Sequence, residues 1–126
     1  NVLELHGSVH RNFCQRCHKM YDAEFMLHST GIPTCTCGGK VKPDVVLYEE
    51  SLDQHTLTKA LDAIEHADML IIGGTSLAVY PAASLVNYYR GDRLVLINKS
   101  TTPMDQNANL AIQGSIGEVL GAIQVR

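Results

Sequence analysis

The arrangement of apolar and polar residues divides this chain of 126 residues into two parts. From residue 51 to residue 123, apolar residues recur with the periods of helices and buried strands. Residues 8–44 show weak periodicity, contain all four cysteines and are rich in small or polar residues. This first part predicts a small, loop-rich module. Before it, the apolar residues between Val2 and Leu5 predict an opening strand.

Three helices are predicted in the second part. The first begins near Ser51 or Asp53, which are typical helix-start residues. Its apolar positions follow at helical spacing: Leu57, Ala60, Leu61, Ile64 and Ala67. A second helix is predicted over residues 82–89. A third begins near Ser115 and carries the apolar residues Val119, Leu120 and Ile123.

Two buried strands alternate with these helices. Residues 68–74 form a short apolar run that ends in glycines, and residues 93–97 form a second apolar run after a Gly-Asp break. Continuous apolar runs of this length are typical of parallel strands that are covered on both faces. The alternation of helix and strand therefore predicts an α/β fold, of which this chain contains half of a parallel sheet. The cysteine-rich module would lie between the opening strand and the first helix.

The composition of the chain argues against two classes of binding partner, nucleic acids and membranes. The chain carries 10 Lys+Arg and 13 Asp+Glu, a formal net charge of -3, and 45% of its residues are hydrophobic. This balance provides no basic surface for nucleic acid or for an anionic membrane. The longest strongly apolar run, residues 69–72, is too short to span a bilayer. We therefore expect no nucleic-acid or membrane partner, and because no signal peptide is recognisable we expect a cytoplasmic protein.

The cysteines predict a metal site. Cys14 and Cys17 form a CxxC motif, and Cys35 and Cys37 form a CxC motif that is followed by two glycines. Two thiol pairs on tight turns can surround Zn²⁺ tetrahedrally, with Zn–S distances near ~2.3 Å. Four thiolates would close the coordination sphere, so the zinc would be structural. CxC departs from the usual second CxxC, and His18 or His28 could replace one thiolate. The alternatives are four unrelated cysteines or a redox pair.

A ligand pocket is predicted where the two buried strands end. Gly73, Gly74, Thr75 and Ser76 follow the first strand, and Asn98-Lys99 follows the second. Ligands of open α/β sheets bind outside the carboxyl ends of the strands, and small or hydroxylated residues suit such a position. The alternative is an ordinary strand-to-helix turn. These residues contain no GxGxxG loop, which a complete dinucleotide-binding fold would be expected to carry.

His6 is a candidate general base, because an imidazole facing a pocket can accept a proton near neutral pH. The alternative is a buried histidine with satisfied hydrogen bonds. No role is assigned to the other five histidines: His10, His18, His28, His55 and His66.

Taken in order, several short motifs resemble the sirtuins, the NAD-dependent protein-lysine deacylases, and in particular their bacterial members. The motifs are Leu5-His6-Gly7-Ser8, the CxxC and CxC pairs, Lys42-Pro43-Asp44-Val45-Val46, Gly74-Thr75-Ser76 with Val79-Tyr80-Pro81-Ala82, and Ile97-Asn98. The resemblance runs from residue 1 to about residue 123. The chain departs from the family at the CxC motif and at Leu47-Tyr48-Glu49, where the family commonly has Phe-Gly-Glu.

The resemblance implies a domain organisation. Residues 8–44 would form a zinc-ribbon module, and residues 1–7 and 45–126 would form the C-terminal half of a Rossmann-like NAD-binding domain. In sirtuins the glycine-rich NAD loop precedes the position of Asn1. We therefore expect the chain alone to be inactive, and we expect it to self-associate through an exposed edge of its sheet.

The resemblance also implies roles for individual residues. His6 would be the catalytic base, which deprotonates a ribose hydroxyl after the acyl oxygen of lysine has displaced nicotinamide from NAD. The acyl group is thereby transferred to ADP-ribose. NAD would contact Gly74, Thr75, Ser76, Asn98, Lys99, Ser100 and Ile116. Asp44, Val45 and Val46 would pair with the backbone of an acyl-lysine protein or peptide, and Cys14, Cys17, Cys35 and Cys37 would bind Zn²⁺.

Two other functions are compatible with parts of the pattern. A non-enzymatic, zinc-bearing binding module would need the cysteines but has no need of His6, the Gly-Thr-Ser turn or Asn98. A thiol oxidoreductase would use the CxxC pair and would lose activity, but not its fold, when Cys14 and Cys17 are alkylated. The resemblance favours the deacylase.

Overall fold

A computed structural model describes residues 1–124 of the chain. The chain divides into two units, one from Asn1 to Leu57 and one that begins at Thr58. Each unit contains its own three-stranded sheet, with strand order β2-β1-β3 in the first and β4-β5-β6 in the second. The sheet of the first unit is antiparallel and that of the second is parallel.

The first unit is built around a long central strand. Strand β1 spans Gly7–Cys14 and pairs with β2 (Met20–Tyr21) on one side and β3 (Val41–Val45) on the other. Helix α1 (Ala23–His28) follows β2 and is capped by Asp22, whose carboxylate accepts the backbone N–H of Phe25. The β1–β3 register shifts between Ser8 and Asn12, so the side chains of β1 do not alternate regularly between the two faces.

The hydrophobic core of the first unit is small. Its buried residues are Cys14, Cys35 and Val41, and the partly buried residues that pack against them are Tyr21, Phe25, Met26 and Cys37. Three of these seven residues are cysteines of the predicted metal site. The predicted metal site therefore lies within this core cluster.

The second unit begins within helix α2 (Gln54–Glu65), which crosses the boundary between the units. Strands β4 (Leu70–Gly73), β5 (Leu94–Asn98) and β6 (Leu110–Gln113) run parallel. The connections between them contain short 3₁₀ helices at Ala82–Tyr88 and Asp105–Asn107, and helix α3 (Ile116–Gly121) follows β6.

Strand β5 is central and carries the apolar interior of this unit. Leu94, Leu96 and Ile97 are buried, and the 3₁₀ helix at Ala82–Tyr88 adds buried Leu85 and Val86. Strands β4 and β6 each pair on one side only within the 1–124 range. Self-association through a sheet edge stays a prediction.

The predicted α/β fold with a parallel sheet is confirmed. Helix α2, strands β4 and β5 and helix α3 lie where the sequence predicts them, to within a few residues. The second predicted helix is a 3₁₀ helix, and Ile123 lies beyond the end of α3. Strand β6 was not predicted, because it is short and its residues are mostly exposed. The domain boundaries at residues 7/8 and 44/45 remain a prediction.

One prediction for the first part of the chain is wrong. No strand forms between Val2 and Leu5, and Val2 is 83% exposed. The Gly7 backbone N–H donates to the Glu4 carbonyl at 2.9 Å and closes a turn there, so regular pairing begins only at Gly7. In residues 8–44, turns and loops connect the three strands and the short helix α1. No helix within residues 1–124 combines the length and apolar character needed to cross a membrane.

Candidate functional site

The four cysteine sulfur atoms form one cluster in the first unit. All lie within 4.8 Å of one another. The shortest separations join the two motifs, with 3.5 Å between the sulfurs of Cys14 and Cys37 and 3.6 Å between those of Cys17 and Cys35. All four cysteines are free. A redox CxxC would bring Cys14 and Cys17 together preferentially, whereas this arrangement interleaves the two pairs.

The cluster has the dimensions of a tetrahedral zinc site. With Zn–S bonds near 2.3 Å, the sulfurs of a regular tetrahedron lie about 3.8 Å apart. The observed separations fit this value, and four thiolates are a preferred donor set for Zn²⁺. The His28 ring, considered as a replacement ligand, instead contacts the backbone carbonyl of Glu24 at 2.9 Å. The cysteines therefore have the number, chemistry and spacing of a structural zinc site.

Two tight turns bring the sulfurs together. The His18 backbone N–H donates to the Cys14 carbonyl at 3.0 Å, and the Gly38 N–H donates to the Cys35 carbonyl at 2.8 Å. Gly39 lies directly against the first turn, since a Cβ atom at this position would approach the Cys14 sulfur to 2.6 Å. A side chain at position 39 would therefore separate the two motifs.

The electrostatics of the cluster favour a cation. The backbone N–H of Cys37 and the hydroxyl of Tyr21 lower the pKa of Cys35 to about 5. The Gly39 N–H lowers the pKa of Cys37, but hydrogen bonds with the neighbouring thiols outweigh it and raise that pKa to about 12. The pKa of Cys14 is lowered as well, first by the backbone N–H of Cys17. The protein thus favours thiolates at Cys14 and Cys35 but not at Cys37 beside them. A bound divalent cation would favour the thiolate at all four positions together.

His6 lies on the turn that leads into β1, and its side chain is exposed. It is therefore not a buried histidine of the core. The His6 carbonyl accepts the backbone N–H of Val46 at 3.1 Å, which fixes the backbone of the turn against the residue that follows β3. A Cβ atom on Gly7 would approach the Asp44 carbonyl oxygen to 1.9 Å, so this close approach requires glycine after the histidine.

An arginine connects the His6 turn to the sheet. Arg11 donates from Nη1 to Glu4 at 2.6 Å and from Nε to Asp44 at 3.0 Å. Glu4 precedes His6 on the turn, and Asp44 lies on β3. The three side chains are each about 40% exposed, so solvent screens these ion pairs. The arrangement restrains the position of the turn more than it stabilises the fold.

The predicted peptide-binding residues lie beside this turn. Asp44 and Val45 end strand β3, which is an edge strand of its sheet, and both line a cavity of about 490 Å³ with Val46, Glu4 and Gly7. Some of their polar groups already have partners. Val46 donates to His6, and the Val45 carbonyl accepts the Lys42 ammonium at 3.3 Å.

All seven residues predicted to bind NAD line one pocket of about 470 Å³ in the second unit. The pocket lies at the carboxyl ends of β4 and β5 and at the start of α3. Its lining comes from three separate stretches of the chain: Gly74, Thr75 and Ser76; Asn98, Lys99 and Ser100; and Ile116. The turn after β4 is thus part of a formed pocket. His6 and this pocket belong to different units.

The two strand ends are joined by the side chain of Asn98. Its Oδ1 accepts the Thr75 backbone N–H at 3.0 Å, and its Nδ2 donates to the Thr75 carbonyl at 2.5 Å. Gly74 also donates its N–H to the Ile97 carbonyl at 3.0 Å. Both polar groups of the Asn98 amide are therefore used to fix the Gly74–Ser76 turn.

Sequence reasoning missed Arg11, Tyr21 and several pocket residues, among them Thr101, Thr102 and Gly114. No motif marks Arg11 or Tyr21, because their partners lie far away in the sequence. The pocket residues could have been found from their positions just after Ser100 and just before Ile116.

Comparison with known proteins gives consistent matches. A sequence model described as "Sir2 family" matches residues 1–81. An "NAD-dependent protein deacetylase" of Clostridium perfringens is 64% identical over 125 residues, and one of Clostridium tetani is 54% identical over 125 residues. Each match covers 98% of this chain and 51% of the relative. The chain therefore spans about half the length of the curated relatives it matches.

Solved structures match in the same way. A structure of Sir2 with a p53 peptide and NAD⁺ covers 94% of this chain with a TM-score of 0.86 and 36% sequence identity, over 52% of its own chain. A structure of Sir2 bound to an acetylated peptide also covers 94% of this chain, with a TM-score of 0.86, 35% identity and 52% of its own chain matched.

Proposed function

This chain belongs to the Sir2 family, and we propose that the protein containing it is an NAD-dependent protein deacetylase that transfers an acyl group from lysine to ADP-ribose. The observation that carries the proposal is the pocket at the ends of β4 and β5. It unites seven residues from three stretches of sequence, each of which the family resemblance assigns to NAD. The 64% identity to a clostridial NAD-dependent protein deacetylase supports the same function.

The lining of this pocket suits a nucleotide. Thr75, Ser76 and Ser100 provide hydroxyl groups that can donate to or accept from ribose hydroxyls. Ile116 provides an apolar surface for a base, and its side chain lies over Gly73 at the end of β4. We assign NAD contacts to these residues together with Gly74, Asn98 and Lys99. NAD, when bound, supplies the ribose to which the acyl group is transferred.

We assign the role of general base to His6. Its exposed ring is available to a substrate, and within residues 1–124 it has no side-chain hydrogen bond that would have to break first. A base in this role must reach the ribose hydroxyl at roughly 2.6–3.2 Å. The backbone contacts of His6 with Val46, and those of the preceding turn, limit the positions of the ring.

The acyl-lysine substrate would bind at Asp44, Val45 and Val46 as an added strand. Strand β3 is an edge strand, and pairing of main chains gives affinity with little demand on peptide sequence. The Val46 N–H already donates to the His6 carbonyl, and the Val45 carbonyl already accepts the Lys42 ammonium. We therefore expect Lys42 to move away from the Val45 carbonyl when a peptide pairs there.

Zinc would be held by Cys14, Cys17, Cys35 and Cys37 and would have a structural role. Four thiolates fill the coordination sphere and leave no position for a substrate. A cytoplasmic location is part of the proposal, because a tetrathiolate site requires reduced cysteines.

The test uses the intact protein, an acetyl-lysine peptide and NAD. We expect stoichiometric release of nicotinamide and deacetylated peptide. His6→Ala should lower turnover by about 10²–10⁴-fold, the usual contribution of a general base. The matched control is His10→Ala, which removes an exposed histidine of β1 and should leave turnover unchanged.

Peptide binding without turnover by the intact wild-type protein would contradict the proposal and favour a zinc-bearing binding module. Calorimetry with NAD separates the contributions of the two parts of the protein. NAD binding by the intact protein but not by residues 1–126 would show that the pocket in the second unit is only part of the NAD site. Binding by both would show that this pocket suffices for recognition.

A further inference from the structure

The two motifs of the cysteine cluster differ in the hydrogen bonds that their sulfurs accept. The Cys14 sulfur, in the CxxC motif, accepts backbone N–H groups from Arg16 and Cys17, with the Arg16 nitrogen at 3.4 Å. The Cys35 sulfur, in the shorter CxC motif, accepts the backbone N–H of Cys37. Two hydroxyl groups also lie near this sulfur: that of Tyr21 donates to it at 3.0 Å, and that of Thr36 lies farther away, at 3.9 Å.

We propose that Tyr21 is a positioning residue of the zinc site, whose hydroxyl replaces the backbone donor that the shortened CxC motif cannot supply to Cys35. Groups that hydrogen-bond a metal ligand orient it and strengthen metal binding, and their loss typically costs 10–100-fold in affinity. Tyr21 therefore compensates for the departure of this chain from a second CxxC motif.

The tyrosine is held in place from several sides. Its backbone pairs with Asn12 of β1, and the Asn12 amide donates to the Tyr21 carbonyl at 3.3 Å. Its ring lies 4.2 Å from the ring of Phe25, centroid to centroid, at an interplanar angle of 30°. The Lys19 ammonium lies over the Tyr21 ring, 5.2 Å from the ring centroid. The hydroxyl is thus aimed at Cys35 by the packing of the ring.

The experiment compares zinc retention in the intact, zinc-loaded protein and its variants. Tyr21→Phe keeps the ring and removes only the hydroxyl. Transfer of zinc to a chromogenic chelator should be about tenfold or more faster than in the wild type. The matched control, Tyr88→Phe, alters a tyrosine of the second unit and should leave the transfer rate unchanged.

A second variant separates the hydroxyl from the ring. Tyr21→Leu removes both, and should release zinc at least as fast as Tyr21→Phe. If Tyr21→Phe retains zinc like the wild type while Tyr21→Leu loses it, the ring acts by packing alone and the proposal is wrong. In protein loaded with Co²⁺, Tyr21→Phe should also shift the thiolate-to-metal charge-transfer bands, and an unshifted spectrum would contradict a direct bond to Cys35. None of these readouts depends on the deacetylase assignment.

Discussion

The antiparallel sheet of the first unit and the parallel sheet of the second differ in what fills their interiors. The core cluster of the first contains two buried cysteines and a valine, with Tyr21 and Phe25 packed beside them. Leu52 is the further apolar side chain that the described part of this unit buries. In the second, β5 alone contributes three buried aliphatic side chains. Burial of apolar surface is the main favourable term in folding. By that measure the second unit has an aliphatic core of its own. The stability of the first unit is expected to depend on the metal that binds its four cysteines.

This difference suggests that the two units respond to different perturbations. The first should be sensitive to metal and to the groups around the cysteines. The second should be sensitive to the volume of its aliphatic side chains, since closely packed cores lose stability when methylene groups are removed.

Removal of zinc should have the largest effect. Structural zinc contributes about 10–16 kcal/mol of binding free energy, which is lost from folding when the metal is removed. Treatment with a strong chelator should abolish amide protection in β1 and β3, while protection in β5 persists. Hydrogen exchange followed by mass spectrometry resolves the two sheets. Retention of protection in β1 after complete zinc removal would show that the first unit does not require the metal.

The same contrast explains how much of each unit the sequence predicts. In the second unit, the apolar residues of α2, β4 and β5 follow the helical and buried-strand patterns closely, so those elements were predicted nearly at their observed bounds. Strand β6 was not predicted, because an exposed edge strand of four residues lacks a continuous apolar run. The resemblance to the sirtuins is confirmed by the Sir2 family match.

In the first unit, the strands could not be predicted from periodicity. Strand β1 contains a histidine, an arginine and a buried asparagine, and its register shift breaks the alternation of faces. The cysteine cluster was nevertheless predicted, because the short spacing within the CxxC and CxC motifs indicates pairs of thiol ligands on tight turns. Contacts such as that between Tyr21 and Cys35 depend on the tertiary fold, so no local sequence pattern predicts them.

Leu96→Ala should have the second largest effect, confined to the parallel sheet. Leu96 is 2% exposed, and truncation of such a leucine costs about 2–5 kcal/mol. Denaturant unfolding should show this loss, while zinc content and zinc transfer rate stay at wild-type values. Val95→Ala, at a half-buried position of the same strand, is the matched control and should cost less. Zinc loss in Leu96→Ala would indicate that the two units do not respond separately.

Asn98→Ala should affect the pocket more than the sheet. It removes both hydrogen bonds to the Thr75 backbone, a loss of about 1–3 kcal/mol. If the Gly74–Ser76 turn must be fixed to bind NAD, calorimetry on the intact protein should show affinity reduced by about tenfold or more. Asn107→Ala alters an exposed asparagine in the 3₁₀ helix at Asp105–Asn107 and serves as control. Unchanged NAD affinity in Asn98→Ala would show that the turn needs no such restraint.

Arg11→Gln should have the smallest effect on stability and a measurable effect on activity. Its ion pairs with Glu4 and Asp44 are partly exposed, so the thermal midpoint should change little. If these pairs position the His6 turn, turnover by the intact protein should fall in Arg11→Gln, while the KM for the peptide should change little. Because exposed ion pairs are weak, the fall in turnover should be no more than about fivefold. Arg93→Gln, at an exposed arginine before β5, is the control.

Salt provides the decisive comparison for Arg11. Screening weakens exposed ion pairs as ionic strength rises, so the turnover of the wild type should approach that of Arg11→Gln at high salt. The turnover of Arg11→Gln, which lacks the pairs, should therefore depend less on salt than that of the wild type or of the Arg93→Gln control. Equal turnover of wild type and Arg11→Gln at low salt would mean that the backbone contacts of His6 with Val46 fix the turn by themselves. In that case main-chain pairing alone would position His6 in the first unit, as it positions the strands in the second.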